Sequence, residues 1–329
     1  MGLDDLSKEN KKYSRFNIKA LVILVSSLVL ILFTREILDP IISSVFYNPD
    51  KFDTNKYQKQ LFLDTSVFTE LHYPGFITNG VNVEDLNYGK YRMSIYQWET
   101  FKGRDEIVTG EIVRGEIKNL SQNFFKSAPG NAFGDAILAE YKQDRKAYED
   151  IIKELEILPS TSMVSAYIAF KEDKPLSEIE SLIKEFKSIY FSWIPVRYGK
   201  KDIGVSHQLG FEPTGTGIIV EESTEDKKKY PYLELANVKD RNITGEIMGI
   251  HFKTLLKYMT DQKDYLETFN FGFGGEEFYV NALRYVEKNG VKTYGVVAHG
   301  SPKDILKLIN KNKTSNIELD NVKVSRYSK

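Results

Sequence analysis

The chain has no cysteine among its 329 residues. That excludes disulfides, a thiolate-bound zinc or iron–sulfur centre, a thiol nucleophile and a lipid-modified amino-terminal cysteine. Net charge is nearly absent too. Lys and Arg number 45 against 46 Asp and Glu, which argues against a nucleic-acid binder held by bulk electrostatics. Histidine is scarce. His72, His207, His251 and His299 stand apart, with no H-x-H or H-E-x-x-H spacing that would build a metal box. Glu246 and His251 lie five apart and do not stack on one helix face, so each histidine reads as satisfied by its surroundings or solvated. No G-x-S-x-G elbow occurs.

Glycine clusters supply no phosphate cradle either. Gly272, Gly274 and Gly275 in FNFGFGGEEF precede a helical pattern but lack the Lys-Ser/Thr of a P-loop. They read as a helix-entry turn. Gly210, Gly215 and Gly217 in GFEPTGTGI lead into strand-like residues and read as a hairpin or bulged loop. Glu276 and Glu277 are neighbours at a helix start, where they favour the positive end of the dipole, and nothing marks them as an acid–base pair. The reading therefore assigns no catalytic, cofactor-binding or metal-binding residue, and predicts that the protein is not an enzyme.

Long apolar runs are rare, and the single one is informative. Ala20–Thr34 (ALVILVSSLVLILFT) is uncharged and bounded by Lys19 and Arg35. It is shorter than the roughly 20 residues a spanning helix uses, but flanking Lys and Arg can snorkel and Phe16, Ile18, Ile37 and Leu38 extend its apolar character. A cleaved signal peptide fits the length, although no A-x-A-like site follows. A buried core helix is the third reading. The favoured one is an uncleaved anchor made by Ala20, Leu21, Val22, Ile23, Leu24, Leu28, Leu30, Ile31, Leu32 and Phe33. Lys11, Lys12, Arg15 and Lys19 precede it, while Arg35 follows beside Glu36 and Asp39. The positive-inside rule then puts the amino terminus in the cytoplasm and the rest of the chain outside, a single-pass protein of the cell membrane.

The remaining pattern divides into regions. Residues 1–19 form a short cytoplasmic tail, 20–34 the transmembrane helix and 35–60 a stalk with turn signals at Asp39-Pro40 and Asn48-Pro49-Asp50. A first outer region, 61–158, reads as strands followed by a long helix. In it, Tyr91, Met93, Ile95 and Gln97 share one strand face, and residues 111–117 suggest another strand. The helix starts near Asn131, carries Phe133, Ile137, Tyr141, Tyr148, Ile152 and Leu155 at helical spacing and closes at Pro159.

The last region, 159–329, shows an internal echo. MVSAYIAF (163–170) reads as a strand, Pro175 opens a helix, and YFSWIPV (190–196) returns as a strand. KTYGVVA (292–298), a helix capped by Ser301 and opened by Pro302, and NIELDNVKVSRY (316–327) repeat the order. Two β-α-β units thus flank two central helices near 244–261 and 276–289. The fold class is α+β: one amino-terminal membrane helix, a β-rich segment, a long helix and a carboxy-terminal sandwich of the ferredoxin-like kind. Aromatics at 13% suit such packed, strand-rich units. Trp193, Phe211, Tyr279, Tyr285 and Tyr294 are the expected core of the last one.

Several strings carry a family resemblance: NFFKSAPGNAFGDAILAEYKQDRKAYEDIIKEL, MVSAYIAFKEDKPLSEI, GFEPTGTG, HFKTLLKYM and YVEKNGVKTYGVVAHGSPKDILKLI. They resemble the bacterial sigma-factor-regulator family, the membrane anti-sigma factors of Gram-positive bacteria, over about residues 15–325. The resemblance implies an extracytoplasmic sensor domain that answers envelope stress and is coupled through one transmembrane helix to control of an extracytoplasmic-function sigma factor. It implies as partners the membrane and either that sigma factor or an accessory membrane protein, with no cofactor and no nucleic acid. The family brings no catalytic residue. The 19-residue tail departs from the helical cytoplasmic domain such regulators usually carry, with Leu3 and Leu6 as its apolar anchors. The alternative is an envelope binding or scaffold protein that keeps the sensor domain without touching a sigma factor.

Overall fold

The computed structural model describes residues 3–51, 59–121, 133–134, 145–200, 208–217, 224–270, 272 and 274–324. Helix α1, Leu3–Phe33, runs through the apolar run, passes into a π-helical turn at Thr34–Leu38 and continues as α2, Asp39–Val45. The rod runs unbroken into Pro40, whose missing N–H leaves one helical hydrogen bond unmade next to the π-helical turn. Within this rod, Ile18–Val45 is long and apolar enough to cross a membrane, and its apolar window is not buried in protein. Part of the stretch read as a stalk is therefore helical.

Helix α3, Gln60–His72, follows. The sequence reading placed strands from residue 61, and this is corrected. Phe62, Val67, Phe68 and the two threonines Thr65 and Thr69 supply strand-like composition, but nearly the whole helix is buried, from Leu61 to Leu71. A helix enclosed on all sides loses its amphipathic signature, and tertiary burial overrides the local β preference.

Strands β1 (Phe76–Asp85), β2 (Lys90–Glu99), β3 (Arg104–Val113) and β4 (Glu116–Lys118) form an antiparallel meander in that order. Tyr91, Met93, Ile95 and Gln97 face inward, as the alternation predicts. Residues 111–117, read as one strand, are instead a hairpin. Val113 pairs with Glu116, and the two residues between them, Arg114 (φ 51°) and Gly115 (φ 77°), take the left-handed conformation of a tight turn.

The predicted long helix appears as α4, Arg145–Ile157. Its expected start at Asn131 and residues 135–144 lie outside the described residues, as does His207. The carboxy-terminal unit then holds β5 (Met163–Pro175), α5 (Leu176–Glu185), β6 (Tyr190–Pro195), β7 (Gly210–Phe211), α6 (Thr224–Lys229), α7 (Gly245–Asp261), α8 (Lys263–Phe269), α9 (Gly275–Asn289), β8 (Lys292–Gly300), α10 (Pro302–Lys311) and β9 (Thr314–Lys323). Pro175 stands at the N-cap of α5, one place before the position expected for it. Ser301 caps α10 by accepting from the Asp304 N–H.

The strand order is β7-β6-β8-β5-β9, with neighbouring pairs antiparallel. Without the short β7, this is the split β-α-β order of a ferredoxin-like sheet. Val164, Ala166, Ile168, Val296 and Ala298 join the main core with the helices. The opposite face carries Trp193, Tyr294 and Val297, with Phe133 laid on them. Trp193, Phe211, Tyr279 and Tyr294 are fully buried, and Tyr285 is partly so. The main core extends without a break into α3 and the meander.

Candidate functional site

Helix α3 is the wedge that joins the meander to the carboxy-terminal unit. On one side the Thr69 hydroxyl receives hydrogen bonds from Thr78 Oγ1 (3.1 Å) and Gln97 Nε2 (3.2 Å), both on the meander. On the other side two carboxylates enter a buried seam against α7. Their partners on α7, His251 and Tyr258, are seven residues apart. That is two helical turns, so both project from one face.

The Asp64 carboxylate accepts from Tyr258 Oη at 2.6 Å, Tyr47 Oη at 2.7 Å and Gln60 Nε2 at 2.7 Å. Burial pushes its pKa up to about 6 against these stabilising donors. The Tyr47 and Tyr258 phenols are driven well above their ordinary range, first by burial and then by the Asp64 charge.

Glu70 makes the second contact. Its Oε1 lies 2.8 Å from His251 Nε2 and accepts from the Glu212 N–H at 3.1 Å. The other ring nitrogen of His251 meets the Tyr232 carbonyl at 2.7 Å. Burial presses the imidazole toward its neutral form, but the Glu70 charge and hydrogen bond outweigh it and hold the pKa above the ordinary value. Trp193 Nε1 donates to the Glu70 carbonyl at 2.8 Å, tying the same residue to β6. Glu212 folds onto its own loop, accepting from the Thr214 and Thr216 N–H groups at 2.9 and 2.7 Å and from the Thr214 hydroxyl. Burial pushes the Glu212 carboxyl upward, and Glu70 adds to the effect.

Gly217 closes this loop against Glu70. A Cβ there would stand 2.8 Å from Glu70 Oε2. The GFEPTGTG segment is thus a clasp over a buried carboxylate. The sequence reading left a hairpin or a bulged loop open; its first residues, Gly210 and Phe211, pair with β6, and Glu70 is the partner the reading lacked. Of the FNFGFGGEEF segment, Gly274 stands at the N-cap of α9 and Glu276 and Glu277 in its first turn.

The remaining histidines sit elsewhere. His72 Nε2 contacts Tyr279 Oη at 2.8 Å. His299 Nε2 contacts Ser192 Oγ at 3.2 Å, with Phe101 and Tyr190 edge-on to the ring. Burial, aided by Lys323, lowers its pKa to about 4, so it is a weak base at neutral pH. Among the described residues no carboxylate orients its second nitrogen, and no three metal-ligating side chains converge. The seam can hold charge and lock elements together. Local periodicity could not reveal it, because Glu70 and His251 are separated by 181 positions. The available signal was the pair of acidic residues inside QLFLDTSVFTELH, too polar for the apolar surroundings that the flanking residues demand.

No curated protein and no solved structure matches this chain. A family model does: the sigma factor regulator C-terminal model covers residues 155–321, from the end of α4 through nearly all of β9. The matched half includes the clasp, α7 and all but the last two residues of the ferredoxin-like sheet. By this match the chain belongs to the sigma factor regulator family.

Proposed function

We propose that the protein is a membrane-anchored regulator of the anti-sigma type. In this reading Lys11, Lys12, Arg15 and Lys19 hold the amino terminus in the cytoplasm, Ala20–Thr34 anchors it, and the elements after α2 form an extracytoplasmic sensor. The sensor controls an extracytoplasmic-function sigma factor through the single helix. The observation that carries the reading is the continuity of the helical rod with the outer elements. Asp39 on α2 accepts from the Tyr88 N–H, and Ile42 and Phe46 pack beside Gly89, with Phe46 also beside Gly115. A displacement of the meander therefore has a packed route to the rod. For transmission, a signal must favour one of two arrangements over the other, and the α3 seam supplies a buried contact that can be made or broken.

The test is a crosslinked membrane pull-down of the full-length protein beside a form lacking residues 1–17. We expect a sigma factor with the full-length form only. Its recovery with both forms, or recovery of another membrane protein instead, would overturn direct binding by the tail. The latter result would favour a scaffold acting through an accessory protein.

A further inference from the structure

The rod is longer than a hydrocarbon layer requires. Ile18–Val45 comprises 28 residues, about 42 Å at 1.5 Å per residue. The hydrocarbon core takes about 30 Å and the headgroup layers extend this to about 40–45 Å. The last two turns therefore reach headgroup depth. There the two sides of the helix differ. Asp39, Ile42 and Phe46 face protein. Ile37, Ile41 and Val45 remain 47%, 56% and 70% exposed, and their spacing of four places them in one stripe.

Beside α2 opens a cleft of about 600 Å³, walled by Ser43 and Ser44 on the helix, Lys51 after it, and Gln262, Lys263 and Asp264 at the α7–α8 junction. That volume lies within the range of small-molecule sites. Asp261 at the same wall is already engaged by Lys229 (2.9 Å) and Tyr230 Oη (2.7 Å). Lys263 reaches Glu267 only at 3.6 Å. Among the described residues Lys51 and Asp264 form no ion pair. The cleft is thus lined by Lys51, Lys263, Asp261 and Asp264, with Asp261 already engaged and Lys263 held only in a long pair with Glu267, next to hydroxyl and amide groups; if the rod spans a bilayer, it lies at headgroup depth.

We infer that this cleft binds the headgroup of a phospholipid bearing a phosphate and a primary ammonium, a phosphoethanolamine. The phosphate sits by Lys51 and Lys263, the ammonium by Asp264, and the acyl chains follow the Ile37–Ile41–Val45 stripe. The inference rests on the reading that the rod spans a bilayer. A choline headgroup lacks the N–H donors that a carboxylate and serine hydroxyls accept. A glycerol headgroup leaves Asp264 without a cation.

The experiment offers phosphatidylethanolamine, phosphatidylcholine and phosphatidylglycerol at equal concentration to the full-length protein in detergent and counts retained lipids by native mass spectrometry. The expected result is one retained phosphatidylethanolamine, favoured about tenfold over the other two. The double variant K51A/K263A loses that retention about tenfold, whereas D264N loses only the preference over phosphatidylglycerol. Equal retention of the three lipids, or unchanged retention in K51A/K263A, overturns the inference. Carbonate extraction of cell membranes separates the two readings. Release of the protein into the supernatant overturns the membrane anchor, whereas retention in the pellet without lipid preference overturns the headgroup site alone.

Discussion

Glu70 is the residue on which the two halves of the molecule depend. It binds His251 and the Glu212 N–H through its carboxylate and Trp193 through its carbonyl. Removing one member of a buried charged pair leaves the other uncompensated and typically destabilises by about 3–5 kcal/mol. Glu70→Ala should therefore lower the unfolding free energy by roughly that amount in denaturant titration, while Glu70→Gln, which keeps a hydrogen-bonding oxygen, should lose less. The more specific readout is His251 itself. Its raised pKa comes from Glu70 working against burial, so in Glu70→Gln burial is left to dominate and the pKa should fall below the ordinary histidine value. Titration of the ring by NMR would show this. An unchanged His251 titration would mean that Glu70 does not set its charge.

At the level of elements, the contact between α2 and the meander turns decides whether the rod and sensor move together. Asp39→Ala removes the acceptor for the Tyr88 N–H and the Ser43 hydroxyl. Amide exchange at residues 87–90 should accelerate about tenfold, for a lost hydrogen bond worth about 1.5 kcal/mol, with exchange in β8 unaffected. Uniform acceleration would indicate global destabilisation instead.

Elements with strong local signals were legible from sequence. Ser301-Pro302 starts α10 and the 163–170 alternation starts β5, because capping and pleating act over a few residues. Helix α3 was not legible, since enclosure erases the amphipathic pattern, nor was the hairpin at Arg114-Gly115, where an arginine occupies a left-handed position usually given to Asn or Gly. The candidate seam depends on pairings between residues 64 and 258 and between 70 and 251, which no local pattern encodes. The sequence left His251 as either satisfied or solvated, and the carboxylate that satisfies it was not visible.

For the whole molecule, buried titratable groups set opposing pH dependences. Asp64 has a folded pKa raised to about 6, so its contribution is fully favourable below the unfolded value near 3.9 and is lost as pH rises through 6. His299 has a folded pKa lowered to about 4. Its contribution is complete above about 6.5 and is lost as pH falls toward 4. His251, with its pKa raised, stabilises most below about 6.5 and loses that effect as pH rises through its folded value. Asp64→Asn removes the first of these. The melting temperature of the variant relative to the native protein should therefore be higher at pH 7.5 than at pH 4.5, read by thermal denaturation at both. No change in that difference would show that Asp64 ionises freely in the fold.

The seam also fixes an order of events during synthesis. Asp64 and Glu70 leave the ribosome with α3, but Tyr258 and His251 follow 194 and 181 residues later. At about 5–20 residues per second, translation leaves the two carboxylates without those partners for roughly 10–40 seconds. Strand β8, which lies between β5 and β6, arrives later still. The early elements thus remain an incomplete template until the last third of the chain appears. A product truncated before α7 would leave the apolar flank of α3 uncovered, so the early half of the chain reaches its buried state only once the carboxy-terminal unit is made.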